Sequence, residues 1–414
     1  MKAAMKAADF DIAVVGGGMV GASMALAAAL GGLRVALLER NEPGRDWPQP
    51  GYDLRVSALT RASQVMLQNL GAWRHMQSMR ITPYERMQVW DRQGSGEIRF
   101  DAADIGEPDL GHIVENRVIM AALWRELDAQ PGVEFLAGKT VAGVEPGAPQ
   151  ARLLFEDGTD LSAQLLVAAD GARSRLRELA GIGQHGRDYD QQAVVATVVA
   201  EYGNAATAWQ RFMPHGPLAL LPLERERFSI VWSTSPDEAQ QLLELPPAQF
   251  EDRLTLASEG VCGRLQLDGE RAAFPLRLQH ANAYVRPGLA LVGDAAHVIH
   301  PLAGQGVNLG LLDAGVLADV LMAARQAGEP LGGLAVLRRY ERGRKGHNLA
   351  VQLAMDGFKH LFSNSNPGLS LMRNIGLGLA NRLPAVRHGF ERVALGRGID
   401  LPSLARIHPD CRQL

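Results

Sequence analysis

Cysteine is scarce, with two residues, Cys262 and Cys411, in a chain of 414. They lie far apart and form no CxxC pair. That excludes a disulfide framework, a dithiol redox centre and a cysteine-rich metal site, and it fits a reducing compartment. No metal site is expected. Excess charge of one sign is also lacking: the formal net charge is −3, which gives no electrostatic ground for a nucleic-acid partner. No internal repeat, low-complexity tract or disordered linker stands out. A clean membrane span is missing too. Residues 12–33 run for 22 positions without a charge, long enough in principle to cross a bilayer. Six of them, however, are glycines (Gly16, Gly17, Gly18, Gly21, Gly31 and Gly32). Asp9 and Asp11 come first, and Met1–Ala8 lacks the charged-then-apolar order of a signal peptide. The run parses better as a strand at Ile12–Val15, a glycine turn, a helix through Ala22–Leu30 and a second strand at Arg34–Leu38.

What is present begins with that βαβ unit. Gly16, Gly18 and Gly21 occupy the three positions of G-x-G-x-x-G, after a strand and at a helix start. The first permits a tight turn, the second lets a pyrophosphate approach the backbone, and the third lets helix and strand pack closely. Glu39 closes the second strand eighteen residues past Gly21, followed by Arg40, where an acid holds ribose hydroxyls. A nucleotide cofactor is expected, although glycine spacing does not separate FAD from NAD. Gly181-Ile-Gly183-Gln-His-Gly186 repeats the spacing without a strand before it and a helix after it; with no second G-x-G-x-x-G unit of that kind, no separate nicotinamide domain is expected.

The stretch around which the chain is organised lies at 291–313. Gly288–Val292 reads as a buried strand, and Gly293-Asp294 must turn sharply. Pro301, Gly304, Gln305 and Gly306 follow, and a helical pattern starts at Val307 and Asn308 and runs through Leu311, Val316 and Leu317. A glycine turn at a helix start presents free N–H groups and a positive dipole end. Asp294, at a strand end, accepts hydrogen bonds from sugar hydroxyls. An acceptor for a polyol beside a donor nest for an electron-rich ring edge suits a flavin. The plainer reading is a glycine-rich loop with no ligand.

Three further segments set polar residues at strand ends or helix starts. Leu165–Ala169 reads as a strand, turning at Asp170-Gly171 into a helix with Ser174 in its first turn. Arg55 lies in Asp53–Leu59, and Asn116 and Arg117 stand where Gly111–Glu115 opens a helix through Ile119, Leu123 and Leu127. For Arg55 the alternative is an ion pair with a surface carboxylate. A helix through Leu67 and Leu70 is expected to end at Gly71. Met87–Trp90, Glu97–Phe100, Val194–Ala200, Trp209–Met213, Leu218–Leu221 and Phe228–Trp232 alternate or run apolar as sheet strands do. Asp237–Leu245 and Ala248–Leu256 read as helices, and Phe274-Pro275-Leu276 as the way back to the first domain.

Gly293-Asp-Ala-Ala-His297 with Pro301, Gly304-Gln-Gly306, Asn308, Gly310 and Asp313 resembles the second FAD motif of the flavin-dependent aromatic hydroxylases, the p-hydroxybenzoate hydroxylase fold. The glycine loop and the Asp170-Gly171 segment resemble that family's other two motifs, in order. Leu337–Lys345, Leu361–Asn364, Leu371–Gly376 and Gly216–Pro222 resemble its ubiquinone-biosynthesis branch. Gly111–Asn116 and Trp232–Gln240 look nearest to the 2-polyprenylphenol 6-hydroxylases, Thr207–Gln210 and Ser78–Arg80 to the sister that hydroxylates demethoxyubiquinol. The resemblance implies an α/β architecture: a Rossmann-like FAD-binding domain (1–75, 111–185 and 280–344), an inserted, mostly antiparallel β substrate domain (76–110 and 186–279) and a helical C-terminal segment (345–414). It implies FAD, with NAD(P)H or an external reductase as electron donor. The activity it implies is hydroxylation of a polyprenylated phenol by O2 through a flavin C4a-hydroperoxide. Asp294 would contact the ribityl chain, Pro301 and Gly304–Gly306 would lie along the isoalloxazine, Arg55 would sit near the flavin, and Asn116 or Arg117 would stand against the FAD. His297 is as suited to orienting the loop as to moving protons. A flavin halogenase would show Trp-x-Trp-x-Ile-Pro, which is absent. A non-catalytic FAD scaffold remains the other class.

From Ala335 to Leu414 the chain carries thirteen Arg and Lys against five Asp and Glu, a net of +8. Leu349, Leu353, Phe358, Leu361 and Phe362, then Leu371, Ile375, Leu379 and Leu383, recur at helical spacing. Two readings stand: helices capping the first domain with a solvated basic face, or a basic amphipathic tail near anionic lipid or an acidic partner. A cytoplasmic protein peripheral to the inner membrane is expected, in contact with other ubiquinone-biosynthesis proteins and with copies of itself.

Overall fold

The computed structural model describes residues 8–47, 51–91, 97–299, 306–362 and 401–407. Strand β1 (Phe10–Val15), helix α1 (Met19–Leu30) and strand β2 (Val35–Glu39) form the βαβ unit expected from the glycines. β1 pairs in parallel with β2 on one side and with Asp160–Ala168 on the other, Val14 standing opposite both Leu37 and Val167. Across the sheet the order is Val285–Arg286, Leu289–Leu291, Asp160–Ala168, β1, β2, Val133–Ala137. Ala151–Phe155 and Val141–Glu145 extend it antiparallel from the start of Asp160–Ala168. The inner stretches Ile12–Val15, Val35–Leu38 and Leu165–Ala168 are unbroken runs of Ala, Val, Leu and Ile, all buried, as a parallel sheet covered on both faces requires. α1 has no polar face because it is covered all round, its small side chains letting it pack closely on the helix Gly306–Gln326. Among the described residues that second helix is the one long and apolar enough to cross a membrane, yet most of it is buried inside the protein.

A second eight-stranded sheet runs His297–Val298, Leu265–Ala281, Gln184–Ala200, Arg227–Thr234, Leu218–Pro222, Thr207–Phe212, Arg86–Asp91, Glu97–Asp101. Its pairs are antiparallel except Thr207–Phe212 with Arg86–Asp91. Val194, Val198, Leu220, Phe228 and Trp232 face the helices Pro236–Glu244 and Pro247–Ala257 and form a core of their own with Leu242, Phe250 and Leu254. Two strands are much longer than their apolar patterns suggest, with 17 residues each in Gln184–Ala200 and Leu265–Ala281. Residues 184–188 are exposed and pair with 277–281 through the backbone, so no apolar alternation marks them. Phe274-Pro275-Leu276 lies inside the second of these strands rather than after it. Pro275 sits opposite Gln192, next to a break in register, a position where a missing N–H is tolerated.

Val56–Leu59, Gly111–Glu115 and Thr82–Tyr84 make a small third sheet. Gly71 adopts the left-handed region at φ +82° just past the helix Arg61–Asn69, as a C-terminal glycine should, but it also starts a further helix, Ala72–Met79, that the sequence reading did not contain. The last long helix, Leu334–Phe362, is continuous through residue 345, so the division expected there falls inside one element. Leu401–Ile407 returns to the first domain, where Asn69 Nδ2 donates to Leu404 O at 2.8 Å. Residues 363–400, with Leu371, Ile375, Leu379 and Leu383, lie outside the described residues, as does Cys411. Cys262 is buried, and burial pushes its thiol up to about 12.

Trp124, on the helix Asn116–Asp128, is buried edge-on to Phe135 at 4.8 Å and donates from Nε1 to Gly17 O at 3.0 Å. Trp124→Phe leaves that carbonyl unpaired and opens a cavity, for which a loss of about 1–3 kcal/mol is expected. Urea denaturation of the apo-protein checks it: an unchanged midpoint would mean the glycine loop does not lean on this indole.

Candidate active site

The three fingerprint glycines differ in what the fold demands of them. Gly16 sits at φ +103°, where a Cβ would meet Ala169 O at 2.4 Å. A Cβ on Gly21 would fall 1.8 Å from Gly16 O. These two close the turn and seat α1 on β1. Gly18 has ordinary extended geometry, φ −63°, and a Cβ there would meet nothing within 4 Å. Its lack of a side chain serves the open space beyond it. Glu39 holds the loop from the side, accepting from Gly17 N at 2.7 Å and from Asn41 N at 3.2 Å. Arg40 points to solvent.

That open space is a cleft of about 780 Å³ between the parallel sheet and the second sheet. Gly18, Arg55, Asn116, Asp170, Asp294, Gly306 and Val307 all line it. Asp170 follows the strand Asp160–Ala168; its Oδ2 accepts from Leu176 N at 3.1 Å, while Oδ1 is buried without a partner among the described residues. Ser174 caps the helix that follows, accepting from Arg177 N at 3.0 Å. The buried Arg177 guanidinium donates to Ala295 O at 2.9 Å and Ala172 O at 3.0 Å, joining the Asp170-Gly171 turn to the Gly293-Asp294 turn. Asp294 is open to water on its cleft side and crowded by protein elsewhere. That crowding raises its pKa, with His297 and Arg55 pulling the other way. Arg55 lies over the ring of Phe274 at 5.8 Å. Asn116 Oδ1 accepts from Ser57 Oγ at 2.7 Å. Opposite this polar wall, Ala193, Val195, Val231 and Leu276 present an apolar one.

Some residues named from sequence do other work. Of the Asn116/Arg117 pair, Arg117 turns away from the cleft: it bonds Glu115 at 2.9 Å and Gly51 O at 2.7 Å, and lies over Trp47. The Asn308 side chain ties its helix to Val56–Leu59, donating to Ala58 O at 2.8 Å and accepting from Thr60 N at 3.0 Å. His297 is 2% exposed and is not among the residues lining the cleft. It shares a 2.6 Å hydrogen bond with Asp313 Oδ2 and stacks on Tyr284. Pro301, Gly304 and Gln305 lie outside the described residues.

Asp313 is the centre that sequence reasoning noted within a motif but gave no role. Wholly buried, its Oδ2 also accepts from Gly293 N at 3.1 Å, and its Oδ1 from Arg344 Nε at 2.7 Å and Asn348 Nδ2 at 3.0 Å. Burial alone would raise its pKa; His297 and Arg344 outweigh that and hold it far below the usual carboxylate range. A carboxylate–arginine pair thirty-one residues apart has no local sequence signal.

The residues present fit FAD. Gly18 leaves room for a pyrophosphate, Glu39 and Asp294 offer acceptors to the two sugar-like chains, and Asp170 Oδ1 lacks a donor. The Gly306–Gln326 helix also begins at the cleft. A family model described as an FAD binding domain matches residues 9–353. The chain is 40% identical to a 3-demethoxyubiquinol 3-hydroxylase of Escherichia coli (strain K12), over 93% of this chain and 98% of that protein. It is 36% identical to a mitochondrial ubiquinone biosynthesis monooxygenase of Drosophila melanogaster, covering 94% of this chain and 90% of the relative. A p-nitrophenol 4-monooxygenase of Pseudomonas putida superposes with a TM-score of 0.73 at 20% identity, over 94% of this chain and 99% of that one. An aklavinone-11 hydroxylase, solved with FAD and aklavinone, superposes at 0.64 with 21% identity, over 86% and 70%.

Two outcomes test the geometry. Gly18→Val should leave the apo-protein's melting unchanged and abolish FAD binding in a fluorescence titration, whereas Gly21→Ala should destabilise the apo-protein itself. FAD affinity should also fall with acid. Because burial raises the Asp294 pKa, its acceptor form is lost at a higher pH than for an ordinary carboxylate near ~3.9. Asp294→Asn should flatten that part of the pH profile, and an unaltered profile would remove Asp294 from the contact.

Proposed function

The chain belongs to the FAD binding domain family, as an FAD-dependent monooxygenase, and on that premise we propose that it hydroxylates the aromatic ring of a polyprenylated precursor of ubiquinone, taking oxygen from O2. The observation that carries this reading is the two-sided cleft, polar where the cofactor motifs converge and apolar where the second sheet faces them. Relatives named as a 3-demethoxyubiquinol 3-hydroxylase and a ubiquinone biosynthesis monooxygenase match the chain along more than nine-tenths of its length. Two ring positions compete. Gly111–Asn116 and Trp232–Gln240 favour 6-hydroxylation of a 2-polyprenylphenol. The 40% identity to a 3-demethoxyubiquinol 3-hydroxylase supports the demethoxyubiquinol step, which is the first to test.

Bound FAD supplies oxygen activation, and the chain's own groups do the rest. Val195, Val231 and Leu276 exclude water and hold an aromatic ring against the polar wall. The N-terminus of Gly306–Gln326, with its first-turn N–H groups and dipole, offsets negative charge at the cofactor's ring edge. Arg55, over Phe274 at the cleft, adds a cation that a transient NAD(P)H or a reductase can meet. The sheet grouping supports a division into FAD-binding and substrate domains near the limits given above, with the C-terminal segment starting at Leu334 rather than 345.

A polyprenyl tail partitions into lipid by roughly 0.8 kcal/mol per buried CH₂. We therefore place the protein in the cytoplasm, peripheral to the inner membrane, beside other enzymes of the pathway. Leu349 and Leu353, exposed at 39% and 63%, lie on the helix that leads into the basic tail.

The test is turnover of the purified protein with FAD, a reductant and O2 on a 2-polyprenylphenol and on a demethoxyubiquinol analogue, read by mass spectrometry and peroxide release. The reading expects one of the two to gain a single oxygen and to suppress peroxide release. No product from either, with peroxide release unaffected, overturns it.

A further inference from the structure

Arg344, Asn348 and Gln352 stand four residues apart on the helix Leu334–Phe362, with exposures of 2%, 0% and 3%. That spacing puts them on one helical face, inward, while Arg342, Leu349 and Leu353 point out. Three polar side chains so deeply buried are tolerable only if partnered. Three of their bonds reach one short loop, Gly293–Ile299, or the carboxylate of Asp313 that braces it. Arg344 and Asn348 grip Asp313 Oδ1 at 2.7 and 3.0 Å, and Arg344 also donates to Asn348 Oδ1 at 2.8 Å. Asp313 in turn holds Gly293 N and His297. Gln352 Nε2 donates to Val298 O at 3.1 Å and to Gln279 O at 2.9 Å, and its Oε1 shares a 2.7 Å bond with His280 Nδ1. The loop has little structure of its own, a three-residue 3-10 turn and a two-residue strand. Yet Asp294, Val298 and Ile299 all line the cleft.

We propose that Arg344, Asn348 and Gln352 are positioning residues for the cofactor-facing loop, holding it from behind at both ends without touching the cleft. The bond through Asp313 sets the height of Asp294, and the bond through Gln352 sets Val298. This concerns the cofactor alone and does not depend on which ring the enzyme hydroxylates.

The test titrates apo-protein with FAD, records the absorption spectrum of the bound flavin, and follows apo-protein melting for Gln352→Leu, Arg344→Lys and Leu254→Ala. Leu254 lies in the separate core of the second sheet, so Leu254→Ala reports what general destabilisation does to FAD. Gln352→Leu should weaken FAD by about tenfold or more, about 1.4 kcal/mol, and alter the shape of the flavin band. Arg344→Lys, which keeps the charge but loses the fork, should do the same and serves if Gln352→Leu does not fold. Leu254→Ala should keep both affinity and spectrum despite a lower melting temperature. Native affinity and spectrum in the Gln352 and Arg344 variants overturn the proposal. So does an equal loss of affinity in Leu254→Ala, which would make the stripe a matter of stability only.

Discussion

A carboxylate buried away from water must be matched by protein donors, because its desolvation costs several kcal/mol that only close, well-directed partners offset. Asp313 is in that position, and the cofactor side of the molecule is arranged around it. Its donors come from the turn at Gly293, from His297 and from a helix thirty residues further on, at Arg344 and Asn348. Losing Arg344, the cation among them, would leave a buried carboxylate without its charged partner, at about 3–5 kcal/mol. A loop, the helix behind it and the last long helix therefore keep one relative geometry, and Asp294 inherits it.

The parallel sheet explains how motifs scattered over almost 300 residues become one site. Leu289–Leu291, Asp160–Ala168, β1 and β2 are neighbours in that order, all running the same way. At or just beyond these carboxyl ends stand, respectively, Asp294, Asp170, Gly18 and Glu39. Sequence distance is irrelevant at that edge; strand order alone sets who stands beside whom. In open α/β sheets the crevice beyond the carboxyl ends is where ligands bind. The second sheet leans over the same crevice and supplies the apolar wall that the parallel sheet cannot.

How much of this could be read from sequence follows from which interactions are local. The βαβ unit was legible because the turn and close packing at Gly16 and Gly21 require glycine, leaving a fixed spacing. The inner half of Gln184–Ala200 was legible through its apolar alternation; its outer half was not, since exposed backbone pairing imposes no residue type. The helix Ala72–Met79 escaped because Gly71 at once ends one helix and begins another. Arg117 and Asn116 are adjacent in sequence, and only the packing of Trp47 and Glu115 decides which of them faces the cleft. Arg344, Asn348 and Gln352 did leave a trace, polar residues at four-residue spacing on a helix, but a solvated face writes the same pattern. Burial tells the two apart.

Three aspartates near these strand and helix ends show how partner accounting separates scaffold from site. Asp313 has four donors, all from protein, and is complete as it stands. Asp170 is half complete, one oxygen bonded to Leu176 N and the other buried without a partner among the described residues. Asp294 opens into the cleft, its carboxyl held toward the protonated form by crowding. An acid of the first kind stabilises the fold whether or not a ligand arrives. Acids of the other two kinds are under-satisfied alone, and a polyol or ribose hydroxyl is the group that would complete them. The same polar residue type thus serves opposite purposes within one short edge of the sheet, and the direction in which its donors lie decides which.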